Sequence, residues 1–190
     1  MNVNRFLLKL WVILNYMKEE KVVLVDKKDN PIGTMSKIKA HKEAVLHRAF
    51  SVFILNQKGE LMLQKRALHK YHSPGLWTNT CCSHQRKGED NITAGKRRLK
   101  EEMGFSTPLE TLFSFIYKAP FENGLTEHEL DHVLLGYYEQ SPKINLDEVA
   151  EWRWMDLDSV AKSIKEIPDD FTVWFKIIFE RFHKHISITK

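Results

Sequence analysis

The sequence predicts one domain of the mixed α/β (α+β) class, in which a largely antiparallel sheet is flanked by helices. The predicted elements run as strands, one helix, further strands and two closing helices. The 190 residues suffice for one core, and 43% hydrophobic with 28% charged residues is typical of a globular chain. No internal repeat or low-complexity tract divides it. We therefore expect residues 18–190 to form one domain, preceded by an extension over residues 1–17.

Composition excludes several classes of partner and location. The net charge of +4 is small and no block of like charges occurs, so we expect no nucleic-acid partner. The apolar segment over residues 6–16 is shorter than the roughly 20 residues of a membrane span, and no small-residue cleavage site follows it. Cys81 and Cys82 are the only cysteines, and adjacent residues form no ordinary structural disulfide with each other. We therefore expect a cytoplasmic protein without a membrane span.

Two β-hairpins are predicted in the first third of the chain. Residues 22–25 are rich in β-branched side chains and form the first strand of one hairpin. Residues 26–31 have turn composition, and residues 32–34 form its second strand. Residues 46–55 and 61–66 form the second hairpin around a glycine-containing turn. Between the hairpins we expect a polar linker, which carries Lys37, Lys39 and His41.

A helix is predicted over residues 91–103, because its apolar positions recur at helical spacing and Gly104 supplies a stop signal. The rest of the chain is predicted to form, in order, a strand over residues 112–117, a loop over 120–124, strands over 129–138 and 147–155, a helix over 157–167 capped by Asp156, and a closing helix over 171–185.

Three groups of residues indicate chemistry. A thiol such as Cys82 becomes reactive as thiolate when a cation or metal lies nearby, and His84 follows two residues later. Glu127 and Glu129 share one face of an extended segment, where they repel unless a cation or proton joins them. Arg66 and Lys70 lie at and just after the end of the strand over residues 61–66. Cations at this place indicate either an anion site or an ordinary solvated strand end.

A degenerate Nudix box runs through the helix over residues 91–103. The spacing of Glu89, Arg97, Glu101, Glu102 and Gly104 is that of the box. Two positions depart from it: Ser83 stands in place of the first glycine, and Arg98 stands in place of a metal-binding glutamate. The resemblance implies a Nudix-like fold. The arginine argues against hydrolysis and suits holding a diphosphate intact.

A second pattern makes the resemblance more specific. It comprises His41, residues 47–51, residues 78–84 and residues 127–129. Together with the altered box it closely resembles type I isopentenyl diphosphate isomerase over about residues 18–180. The family isomerises isopentenyl diphosphate to dimethylallyl diphosphate through a tertiary carbocation-like intermediate, in isoprenoid biosynthesis.

The resemblance implies the role of each matching residue. A divalent metal, Mn²⁺, Zn²⁺ or Mg²⁺, is expected on His41, His47, His84, Glu127 and Glu129. A second ion, Mg²⁺, is expected on Glu102 together with the substrate diphosphate. The diphosphate contacts are expected from Lys37, Arg66, Lys70, Ser83 and Arg98. The catalytic set is expected to be Cys82, Glu129, Tyr117 and Trp174.

Within that set, opposed acid and base groups are needed, because an unactivated alkene is a poor base. Glu129 is expected to donate the proton to the terminal carbon and Cys82 to face C2, with Tyr117 hydrogen-bonding to the pair. Trp174 would stabilise the cation and exclude water.

Two other classes of function stay open beside the isomerase: a Nudix-type diphosphate hydrolase, which would release phosphate, and a non-catalytic Nudix-fold binding module. The expected partner is a small-molecule isoprenoid diphosphate, and the expected assembly is a monomer or a weak homodimer. Cys81 is expected to be a small buried side chain without chemistry.

Overall fold

The computed structural model describes residues 20–70, 72–121 and 124–188, so the expected extension over residues 1–17 lies outside them. The described elements are β1 (Lys21–Val25), β2 (Pro31–Ser36), α1 (Lys37–Glu43), β3 (His47–Leu55), β4 (Leu61–Arg66), β5 (Trp77–Thr78), β6 (Cys81–Ser83), α2 (Asn91–Met103), β7 (Leu109–Pro120), β8 (Thr126–Tyr137), β9 (Val149–Met155), α3 (Leu157–Glu166), a 3₁₀ turn (Pro168–Asp170) and α4 (Val173–Ile188). In the described ranges no helix is long and apolar enough to cross a membrane.

The strands form one mixed sheet with β3 near its centre. Both predicted hairpins are confirmed, since β1 pairs with β2 and β3 with β4 in antiparallel fashion. β7 and β8 are antiparallel, as are β4 and β9. β3 and β8 are instead parallel, and their register places His47 opposite Glu129. The α+β class with a largely antiparallel sheet is therefore confirmed, and the parallel pair brings two distant segments together.

The expected linker between the hairpins is wrong, because Lys37, Lys39 and His41 lie in helix α1. Ser36 caps this helix by accepting a hydrogen bond from the backbone N–H of Lys39. Ala44 ends it in the left-handed conformation, with φ of 53°. The helix places His41 in a buried position facing the sheet.

Helix α2 confirms the predicted bounds and stop signal. Asp90 caps its first turn through the N–H of Thr93, at 2.9 Å. Gly104 ends it with φ of 77°, and a Cβ at this position would stand 2.3 Å from the carbonyl oxygen of Lys143. Glycine is therefore required here by backbone conformation and by space. Leu99 and Met103 pack the helix against one face of the sheet.

Helices α3 and α4 cover the other face. Asp156 caps α3 as predicted, through the N–H of Ser159 at 2.8 Å. α4 begins at Val173 rather than at residue 171, because Phe171 bridges to Trp77 in an extended conformation. Phe175 and Phe182 of α4 then pack in the core beneath it.

Strands β7 and β8 extend beyond their predicted limits. β8 begins at Thr126 rather than at residue 129, so both Glu127 and Glu129 lie within the strand and share one face. Of the predicted loop over residues 120–124, residues 122 and 123 lie outside the described ranges.

Candidate active site

A cavity of about 300 Å³ opens where α1, β6, α2 and the β7–β8 hairpin meet. All the predicted site residues except His47 line it. His47 is fully buried immediately behind Glu129, with its Nε2 at 3.4 Å from Glu129 Oε1. The fold thus brings together residues that are scattered from α1 to α4.

Four buried side chains form a candidate metal site inside this cavity. His41, His47, His84 and Glu129 place their ligand atoms within 4.8 Å of one another. The N–H at Nδ1 of His47 donates to the carbonyl oxygen of Val45 at 2.8 Å, which turns Nε2 toward Glu129. Nε2 of His84 lies 3.1 Å from Glu129 Oε1. Glu129 is therefore the carboxylate shared by two histidines.

The ligand chemistry of this cluster fits a divalent cation. His41 Nε2 and His84 Nδ1 are buried, with no hydrogen-bond partner among the described residues, and the buried Nε2 of His47 makes its 3.4 Å contact with Glu129 Oε1 outside good hydrogen-bond geometry. Burial, reinforced by His84, lowers the pKa of His41 to about 3. Burial and the charge of Lys37 also lower the pKa of His84. Neutral imidazoles with lone pairs and one carboxylate are ligands that Zn²⁺ and Mn²⁺ accept.

Glu127 stands outside those four ligands and meets Glu129 through Tyr117. The Tyr117 hydroxyl lies 2.9 Å from Glu127 Oε2 and 2.7 Å from Glu129 Oε2. Burial and the charge of Glu129 raise the pKa of Glu127. Burial also favours a raised pKa for Glu129, but its contacts with His47 and His84 outweigh burial and lower it. The Tyr117 hydroxyl therefore bridges two carboxyl groups that differ in proton affinity.

The two cysteines point to opposite sides of β6, as alternation along a strand requires. Cys82 lines the cavity, where burial and the carboxylates around it raise its pKa to about 12 despite the nearby Arg66. Burial therefore favours the neutral thiol of Cys82. Cys81 packs in the core with Phe50 and Met62, and burial raises its pKa as well.

Arg66 lies under the aromatic wall of the cavity. Its Nε and Nη2 donate to the carbonyl oxygens of Ser73 and His72, each at 3.2 Å. Its guanidinium carbon stands 5.1 Å from the ring centre of Trp174. The turn after β4 thus fixes this cation against a tryptophan.

Two lysines enter the cavity from opposite sides, each beside a carboxylate. Nζ of Lys37 lies 3.3 Å from Glu20 Oε2, and Nζ of Lys70 pairs with Glu148 Oε2. Ser83 ends β6 at the cavity wall. Both lysines therefore lie at the cavity wall as members of ion pairs.

Arg98 is held by three glutamates. Its Nε and Nη2 donate to Glu102 Oε1 at 3.1 and 2.6 Å, and its Nη1 donates to Glu101 Oε2 at 2.7 Å. Nη2 also lies 3.3 Å from Glu148 Oε1. Burial alone would lower the pKa of Arg98, but these carboxylates outweigh it and raise that pKa. Glu102 accepts a further hydrogen bond from Nε2 of Gln64, at 3.0 Å.

Trp174 presents its ring to the cavity from α4. Its indole N–H donates to Thr78 Oγ1 at 3.0 Å, which fixes the ring plane. His72 and Phe121 stand edge-on to the ring, with centroids 5.5 and 6.2 Å away. Trp174, His72 and Phe121 thus form a cluster of three rings, the aromatic wall of the cavity.

Three ionisable cavity residues have no counterpart in the predicted site: Glu20, His72 and Glu148. No motif spacing marks any of them. Each was identifiable only through its spatial neighbours: the lysines beside Glu20 and Glu148, and the aromatic rings beside His72.

Comparison with known proteins agrees with this fold. The NUDIX domain family matches residues 45–175. Among solved structures, DR0079 from Deinococcus radiodurans superposes with a TM-score of 0.71 at 18% identity, over 85% of this chain and 98% of that one. A MutT protein from Methanosarcina mazei gives a TM-score of 0.60 at 20% identity, over 73% and 94%. The class of protein is therefore a NUDIX-fold domain with a buried histidine and carboxylate cluster.

Curated relatives narrow the class to a family. The chain is 53% identical over 160 residues to isopentenyl-diphosphate Delta-isomerase 2 of Photorhabdus laumondii, covering 84% of this chain and 90% of the relative. It is 46% identical over 162 residues to isopentenyl-diphosphate Delta-isomerase of Serratia proteamaculans, covering 85% and 90%. The chain belongs to the type I isopentenyl-diphosphate Delta-isomerase family of the NUDIX superfamily.

Proposed function

We propose that the protein interconverts isopentenyl diphosphate and dimethylallyl diphosphate by adding a proton at one carbon and removing one at another, in isoprenoid biosynthesis. The observation that carries this proposal is a single cavity that holds the Cys82 thiol, the Glu129 carboxylate and four cationic side chains. Family membership supports it over diphosphate hydrolysis.

The diphosphate binds the cationic side of the cavity. Lys37, Arg66, Lys70 and Arg98 approach it from separate elements, and Ser83 offers a hydroxyl. Arginines suit this task because a guanidinium donates two parallel hydrogen bonds to phosphate oxygens. This binding holds the five-carbon tail toward Trp174 and Tyr117.

Cys82 and Glu129 are the two proton-transfer groups. Burial raises the pKa of the Cys82 thiol to about 12 and so favours its protonated form, whereas His47 and His84 lower the pKa of Glu129 once burial is outweighed. One proton must therefore move from the Cys82 thiol to the Glu129 carboxylate first, so that Glu129 can protonate the terminal carbon and the Cys82 thiolate can take a proton from C2. The Tyr117 hydroxyl, 2.7 Å from Glu129 Oε2, lies where it can pass that proton on.

The aromatic wall protects the cationic intermediate. Trp174 is only 3% exposed, so little water reaches its face of the cavity. Its π face stabilises a tertiary carbocation. A water molecule at the same place would capture the cation, so the dry wall protects the product.

Two divalent cations complete the site. One of them, Mn²⁺, Zn²⁺ or Mg²⁺, would be held by His41, His47, His84 and Glu129, with Glu127 the expected fifth ligand. Glu102 would hold Mg²⁺ together with the diphosphate. When bound, these ions supply fixed positive charge that orients Glu129 and neutralises the diphosphate.

We also propose that the protein works in the cytoplasm, as a monomer or a weak homodimer, without a nucleic-acid partner. The adjacent free thiols Cys81 and Cys82 support a reducing compartment. Size-exclusion chromatography with light scattering at two protein concentrations tests the assembly; a stable tetramer would contradict it.

Product analysis tests the proposed reaction. The purified protein is incubated with isopentenyl diphosphate and Mg²⁺, and organic products and free phosphate are followed by NMR. We expect dimethylallyl diphosphate to form without phosphate release. Phosphate release with an unrearranged carbon skeleton would instead identify a diphosphate hydrolase.

A further inference from the structure

One nitrogen of Arg98 occupies the space between two carboxylates at the cavity wall. Nη2 lies 2.6 Å from Glu102 Oε1 and 3.3 Å from Glu148 Oε1. Glu102 has only 6% of its side chain exposed, and Arg98 has 19%. A positive group thus stands between oxygen atoms of the kind that Mg²⁺ selects.

In the proposed function, Glu102 and Arg98 bind two different ligands. In that proposal Glu102 binds Mg²⁺ and Arg98 binds the diphosphate, whereas the structure shows the two side chains bonded to each other through Glu102 Oε1. Binding of Mg²⁺ to Glu102 and binding of diphosphate to Arg98 therefore both compete with this contact.

We propose that the guanidinium of Arg98 competes with Mg²⁺ for the carboxylate of Glu102, and that Mg²⁺ and diphosphate displace it from Glu102 together. This inference rests on the proposed function of the cavity. In the exchange Mg²⁺ takes over Glu102, and the guanidinium of Arg98 turns to the diphosphate. Glu102 and Arg98 each have a partner of opposite charge both before and after the exchange.

Electrostatics makes the two ligands depend on each other. Mg²⁺ alone would leave a largely buried guanidinium facing a dication. Diphosphate alone would leave the largely buried carboxylate of Glu102 facing an anion. In both cases a buried charge would face a charge of the same sign away from water, which costs free energy. By linkage, diphosphate must raise the affinity for Mg²⁺ by the same factor as Mg²⁺ raises the affinity for diphosphate.

Two further contacts keep Arg98 at the cavity during the exchange. Nη1 donates to Glu101 Oε2 at 2.7 Å, and Nη2 retains Glu148 Oε1. Glu148 is itself anchored by its pair with Lys70. The guanidinium therefore needs to rotate away from Glu102 only, and it stays beside the other expected diphosphate contacts.

The inference is tested by measuring the Mn²⁺ affinity of variants in the absence of diphosphate. The histidine site is first filled with one equivalent of Zn²⁺, and Mn²⁺ is then titrated and followed by electron paramagnetic resonance. We expect Arg98→Gln to bind Mn²⁺ at least about tenfold more tightly than the wild type, within the range of known couplings. The gain should vanish in the double variant Arg98→Gln/Glu102→Gln.

Arg97→Gln is the matched control. Arg97 precedes Arg98 on α2, has a similarly buried side chain, and bonds Glu89 and Glu101 but not Glu102. Its removal changes the net charge equally, so Arg97→Gln should bind Mn²⁺ as the wild type does. The inference is overturned if Arg98→Gln gains no affinity, if the gain survives loss of Glu102, or if Arg97→Gln gains as much.

The wild type provides a second measurement, which needs no variant to fold. Mn²⁺ affinity is measured with and without inorganic pyrophosphate, with correction for the soluble Mn²⁺–pyrophosphate complex. We expect about tenfold tighter Mn²⁺ binding with pyrophosphate. Equal affinity in both conditions would overturn the exchange while leaving the isomerase proposal intact. Absence of isomerisation, with coupling still present, would overturn the isomerase proposal alone.

Discussion

The bridge between Tyr117 and two carboxyl groups makes a quantitative prediction for Tyr117→Phe. The substitution removes one hydroxyl, at 2.7 Å from Glu129 Oε2 and 2.9 Å from Glu127 Oε2, and keeps the ring. Hydrogen bonds to charged groups contribute about 1.5–3 kcal/mol. If Tyr117 orients or protonates Glu129 during turnover, that loss corresponds to about a 10- to 150-fold decrease in kcat.

The assay separates this effect from binding and from stability. Tyr117→Phe should change kcat, whereas pyrophosphate binding should stay within about twofold, because the cationic side chains are untouched. Tyr137→Phe is the control, since Tyr137 lies on the same strand as Glu129 with 58% exposure and does not line the cavity. If Tyr117→Phe keeps the wild-type kcat within about twofold, the bridging hydroxyl has no part in proton transfer.

Four further predictions concern single side chains and the N-terminus. Cys82→Ala should abolish isomerisation, a loss of about 10²- to 10⁴-fold or more, while Cys81→Ala retains much of it; the opposite ranking would overturn the choice of thiol. In D₂O, Cys82→Ala should still exchange the terminal methylene protons of isopentenyl diphosphate if Glu129 is the donor, and absence of exchange would contradict that role. Lys37 lowers the pKa of Glu20 to about 2, so the stability due to this pair is present above about pH 4.5 and is lost as pH falls toward 2. Because the Glu20 side chain is 59% exposed, the free energies of unfolding of the wild type and Glu20→Gln in urea should differ by less than about 1 kcal/mol at pH 6 and converge as the pH falls toward 2; divergence on acidification would refute the pairing. Deletion of residues 1–16 should leave turnover largely intact, and a collapse of turnover or solubility would make the extension part of the fold.

The parts of the fold that depend on neighbours in sequence were predictable. The bounds of α2 follow from apolar spacing between Asp90 and Gly104, and both signals act within one helical turn. The hairpins follow from turn residues between β-branched runs. Helix α1 was missed because it spans only seven residues of mostly polar composition, which leaves too few apolar positions to reveal a period.

The parallel pairing of β3 with β8 was beyond the reach of local patterns. It joins His47 to Glu129, and nothing near either residue specifies a partner so distant in the chain. The candidate site was therefore assembled from resemblance to a family rather than from spacing. The resemblance to the family did not predict Glu148. Its contacts with Lys70 and Arg98 can be recognised only from the three-dimensional position of the loop before β9.

The most direct test of the central claim measures where hydrogen from the solvent enters the product. The protein is incubated with isopentenyl diphosphate and Mg²⁺ in D₂O, and the products are examined by proton and phosphorus NMR. Isomerisation by protonation and deprotonation predicts dimethylallyl diphosphate with deuterium in a methyl group and, through reversal, at C2, without free phosphate. Product that carries no deuterium, or phosphate released from an unrearranged skeleton, would contradict proton transfer by Cys82 and Glu129.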